Sequence, residues 1–118
     1  MNTPISGSPD LRSRETQLWI GMVEVQPDKS SCFLGNSRGA FVNIVTWASS
    51  TDEFRRKAEL VLGKLGLLVI EVEGAEPVST RREKAELSEE LEEIIERAGA
   101  NPRAIIHGTF HTWRRDDA

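Results

Sequence analysis

Cysteine occurs once in this 118-residue chain, at Cys32. That excludes an internal disulfide and leaves too few thiols for a zinc site built on cysteine. Long apolar runs are missing as well: none approaches the roughly 20 residues that a bilayer-spanning helix requires, so no membrane partner is expected. The start of the chain lacks a basic segment followed by an apolar one. Met1 to Asp10 is polar and rich in Pro, Gly and Ser, which fits a loose tail rather than a secretory signal, and a cytoplasmic setting is expected. Basic charge is not in surplus either. The net charge is −4, and the residues up to Ser50 balance at four basic and four acidic, so the acidic excess belongs to the second half. A nucleic-acid binder usually carries a basic patch, and no such partner is expected here.

Catalytic signatures are equally scarce. Nothing beside Cys32 supplies the helix N-terminus or basic cluster that would make its thiol a nucleophile. The run Gly35, Asn36, Ser37, Arg38, Gly39 has turn chemistry but leads into a strand, whereas a phosphate loop leads into a helix. The sequence therefore implies no cofactor and no metal.

What is present is one globular domain. An apolar content of 38% and a charged content of 29% suit a packed core, and the length suffices for one core without cross-links. We divide the chain into a tail over 1–14, a single domain over 15–113 and a charged tail over 114–118.

The clearest stretch runs from Gly39 to Glu73 and spells strand, helix, strand. Ser50 is placed to cap a helix over Thr51 to Leu65, with Glu53 closing a capping box and Asp52 adding charge to the first turn. Phe54, Ala58, Val61, Leu62 and Leu65 share one face of that helix, and Gly66 follows as its left-handed terminator. Ahead of this unit, Thr16 to Val25 is a β-like run in which Gly21 either weakens the strand or permits a close approach. The loop from Gln26 to Arg38 is too short for a helical crossover, so the first two strands should be antiparallel. Behind the unit, Gly74 to Thr80 reads as a turn, a helix capped by Ser88 presents Leu91, Ile94, Ile95 and Ala98 on one face, and Arg103 to Trp113 reads as a last strand.

The resulting order is ββαβαβ. Two helices with one apolar face each predict an α+β, two-layer sandwich, both helices lying on one face of a four-stranded mixed sheet. Alternation along the strands then sorts Trp19, Phe41, Trp47, His107, His111 and Trp113 onto the other face, together with Asn43, Glu71 and Glu73. An aromatic face of that size should be covered by a second copy of the chain or by a partner.

Two functions compete. The first is a non-enzymatic protein-interaction domain of the kind that neutralises a basic toxin or nuclease. Its contact residues would be Trp19, Phe41, Trp47 and Trp113 on the sheet, with Glu89, Glu90, Glu92, Glu93 and Glu96 on the acidic helix. The second is a small dimeric ligand-binding or enzymatic domain in which His107 or His111 meets Glu71 or Glu73 as an acid–base pair. The two histidines alone make a poor metal site, because residues four apart on a strand are separated by about 13 Å.

Overall fold

A computed structural model describes residues 16–28, 34, 35 and 37–113. Both expected tails, Cys32 and the side chain of Trp113 lie outside the described residues. The elements are β1 (Gln17–Pro27), β2 (Gly39–Ala48), α1 (Thr51–Gly63), β3 (Leu67–Pro77), α2 (Val78–Lys84), α3 (Glu89–Gly99), β4 (Ile105–His107) and β5 (His111–Trp113). No helix among the described residues is long and apolar enough to cross a membrane.

The α+β class stands, and so does the antiparallel pairing of the first two strands. The mixed sheet does not. Among the described residues the strand order is β3-β1-β2-β4, with β5 also paired to β2, and every pairing is antiparallel. The strands flanking α1 do run in the same direction, but β1 lies between them and is antiparallel to both. A hydrophobic pattern identifies strands without saying which of them are neighbours, and here the first of the described strands takes the central place.

Among the described residues four expected strands become five because the last one is broken. Ile44 pairs with His107 while Phe41 pairs with His111, so two residues of β2 face three residues of the other strand, and one is extra. This is a β-bulge, and it reverses the side-chain phase from β4 to β5. β3 is longer than expected: it runs through Gly74, which holds φ at 64° beside a register shift against β1, and ends only at Pro77. The end of the expected turn and the residues after it form the separate short helix α2, ended by extended backbone at Ala85.

Local signals around α1 act nearly as written. Ser50 accepts the N–H of Glu53 at 3.1 Å, while the Glu53 carboxylate reaches back one residue further than a capping box requires, to the N–H and hydroxyl of Ser49 at 2.8 Å each. These hydrogen bonds, first among them the Ser49 hydroxyl, hold the Glu53 carboxyl below its usual pKa. The helix closes at Gly63, two residues before the expected end, and Gly66 then adopts the left-handed conformation with φ at 76°.

The helices are on opposite sides of the sheet, not on one. Phe54, Ala58 and Leu62 of α1 pack with Val23, Val25, Ala40, Val42 and Ile44. Ile94, Ile95 and Ala98 of α3 pack instead with Ile20, Val45 and, from α2, Val78. Ile44 and Val45 are successive residues and therefore point to opposite faces, which separates the two cores. Gly21 shows why α1 can sit so close, since a Cβ there would meet Phe54 Cζ at 2.9 Å and Ala75 Cα at 3.0 Å. The close-approach reading of this glycine holds. Both faces of β1 and β2 thus read as apolar, which is how a central strand covered on two sides should look.

Candidate functional site

The face that carries α3 is covered at one end only. Beyond Ile20 and Val45 it continues into two cross-strand rows. Glu71 on β3 pairs with Glu24 on β1, Glu24 with Phe41 on β2, and Phe41 with His111 on β5. The adjacent row sets Glu73 against Met22 and Met22 against Asn43. Carboxylate oxygens of Glu24, Glu71 and Glu73 all lie within 4.8 Å of one another, Glu24 half-buried and the other two exposed. Chemically this trio offers hard oxygen ligands to a cation or a negative seat for Lys and Arg side chains.

The expected aromatic face is dispersed. Trp19 lies on the α1 side, half-buried against that core, with a buried Nε1 that has no hydrogen-bond partner. Trp47 lies on the α3 side, but its indole N–H is engaged, donating to the carbonyls of Ala98 at 2.9 Å and Asn101 at 3.0 Å. It fastens the end of α3 and its following turn to the sheet. Only Phe41, of the described aromatic candidates, stays on the open end of the face. The sorting fails because β1 and β2 pair with Leu18 opposite Trp47 and Trp19 opposite Thr46, one step out of the phase that alternation within each strand suggests.

The histidine–carboxylate pair is not assembled. His107 shares the α1 side with Ile44, its Nδ1 placed 2.9 Å from the Gly108 carbonyl and its ring 5.1 Å from that of Phe110. His111 is on the opposite side, in the row of Glu71, but β1 and β2 intervene. Three strand spacings make that separation about 14 Å. The bulge at 108–110 is responsible, and no periodicity of the sequence announces it except Gly108 itself.

The acidic helix divides by role. Glu90 is structural: its carboxylate accepts the N–H of Thr109 at 2.7 Å, and hydrogen bonding by Thr109 holds its pKa below the ordinary value. Glu92 pairs with Arg82 of α2. Glu89, Glu93 and Glu96 are exposed and border, with Arg82, Leu87 and Ile95, an open groove of about 500 Å³. Glu76 is held by Lys84 at 2.6 Å and by Arg81, and the Lys84 hydrogen bond is the main cause of its lowered pKa, ahead of that from Arg81.

Sequence reasoning missed Glu24. The available signal was a lone carboxylate inside an otherwise apolar strand, two residues beyond Met22. Comparison with family models, curated proteins and solved structures found no match.

Proposed function

We propose that this chain is a non-enzymatic protein-interaction domain that binds a basic protein, in the manner of an immunity protein that blocks a basic toxin or nuclease. The observation that carries this reading is a set of carboxylates without counter-charges. Among the described residues, Glu71, Glu73, Glu89, Glu93 and Glu96 are exposed and form no ion pair, while all three basic residues of α2 are already engaged by Glu76 and Glu92. These glutamates belong to the α3 side of the sheet, so their fields add, raising the encounter rate with a positive partner and disfavouring acidic ones. A cytoplasmic setting goes with this reading.

The enzymatic alternative has lost support, since Glu71, His107 and His111 are held apart. A homodimer closed by an aromatic sheet face is likewise less supported, with Trp19 and Trp47 on opposite sides. The test is affinity capture from the source organism at low and at high salt. A basic protein retained only at low salt, and inhibited when the pure domain is added to it, supports the proposal. Retention of no protein, or of partners indifferent to salt, sinks it.

A further inference from the structure

We propose that the edge of β3 left unpaired among the described residues is a strand-addition site: an extended segment of the basic partner pairs with β3 and lays its Lys and Arg side chains against Glu71, Glu73 and Glu24. The proposal rests on the reading of the domain as a binder of basic protein and adds where and how it binds.

Among the described residues β3 ends the sheet, and its only strand partner is β1. It is an 11-residue edge, and edges of such length are usually shortened, covered or heavily guarded, because their unpaired N–H and C=O groups template another strand. This one is lined with apolar side chains left in water. Leu68 is 53% exposed, Ile70 44%, and Leu60 on the neighbouring α1 58%; these are the large hydrophobic residues that the domain exposes among the described ones. Beside them a groove of about 310 Å³ runs between α1 and β3, lined by Glu59, Gly63, Leu67, Leu68 and Val69.

Charge selects the occupant. A second copy pairing antiparallel along the stretch 68–73 would bring Glu71 and Glu73 of both chains together on one side of a continuous sheet, and like charges across strands are destabilising. A basic strand meets the opposite situation. Alternate side chains of an added strand point to opposite faces. One set therefore meets the carboxylates of Glu71 and Glu73, with Glu24 behind them, and suits Lys or Arg; the other enters the groove near Leu60 and suits aliphatic residues. Main-chain pairing supplies affinity in this mode, and the alternation supplies selectivity.

The experiment uses the full chain and a dye-labelled synthetic peptide that alternates Lys and Val, with a Glu and Val peptide as control. Binding is read by anisotropy, its place by amide hydrogen exchange, and self-association by sedimentation. The Lys and Val peptide should bind and slow exchange across Leu68 to Glu73. Its affinity should fall about tenfold or more in the pair Glu71→Lys with Glu73→Lys and at high salt, fall less in the surface variant Leu60→Glu, and fall only by the small share of the long-range field, with the slowed exchange of Leu68 to Glu73 retained, when Glu89, Glu93 and Glu96 are each replaced by Lys. Equal binding of the Glu and Val peptide, unaltered exchange in β3, or a dimer that the peptide competes away would each overturn the proposal. Loss of binding on reversing the α3 charges alone would remove the β3 site and leave the acidic-surface reading standing. Absence of peptide binding altogether overturns the strand-addition site, and the capture experiment then decides the wider reading separately.

Discussion

The Glu90 carboxylate accepts the backbone N–H of Thr109 at 2.7 Å, and through this contact the first turn of α3 is joined to the bulge between β4 and β5. The bulge is what turns His107 and His111 to opposite sides of the sheet. A glutamate that the sequence offers as a surface contact is therefore part of what fixes the C-terminal strands.

The contact carries a pH signature. The Glu90 pKa lies below the ordinary 4.5, chiefly through hydrogen bonding by Thr109, with the positive charge of His111 a lesser cause. A carboxyl with a lowered folded-state pKa contributes stability that is present above its unfolded pKa and is lost as pH falls through the folded value. Glu90→Gln should consequently be less stable than the parent at neutral pH, with the gap narrowing below about pH 4.5 and closing at lower pH. Urea unfolding across that range measures it, and a gap independent of pH would refute the assignment.

Gly21 is a steric prediction. Its missing side chain makes room for the Phe54 ring on one face of the central strand, so Gly21→Ala should destabilise by about 1–3 kcal/mol through overpacking. Thermal melts of Gly21→Ala alone and combined with Phe54→Leu provide the check. Trimming the ring should recover part of the loss in the alanine background while costing stability in the parent.

Trp47 separates a structural aromatic from a binding one. Replacing it by Phe removes the indole donor shared by the Ala98 and Asn101 carbonyls and should cost about 1 kcal/mol. Affinity for a basic partner, measured well below the melting temperature, should not change. A stable variant with weakened binding would return Trp47 to the contact surface.

Legibility in the sequence followed the range of the interaction. The start of α1 was readable because Ser50 and Glu53 act within one turn, and the start of α3 because Ser88 caps Leu91 in the same way. Strands were readable as strands. Their neighbours were not, since Trp19 meets Thr46 on one side and Pro77 on the other, and no local pattern encodes pairings so distant in the chain. Phase between strands decided the site: a shift of one residue sent Trp19 into the α1 core and brought Glu24 to Glu71. The bulge at Gly108 did the same for the histidines.

The central place of β1 also has a consequence for the order in which the protein can be made. Of the described strands β1 leaves the ribosome first, yet its second flank is closed only by β3, which comes after β2 and α1. Until Pro77 has been synthesised, the nascent chain carries a largely apolar strand with one edge bare, and long-range pairings of this kind close slowly. Chains stalled or truncated before residue 67 should be the aggregating species, held in solution by chaperones or not at all.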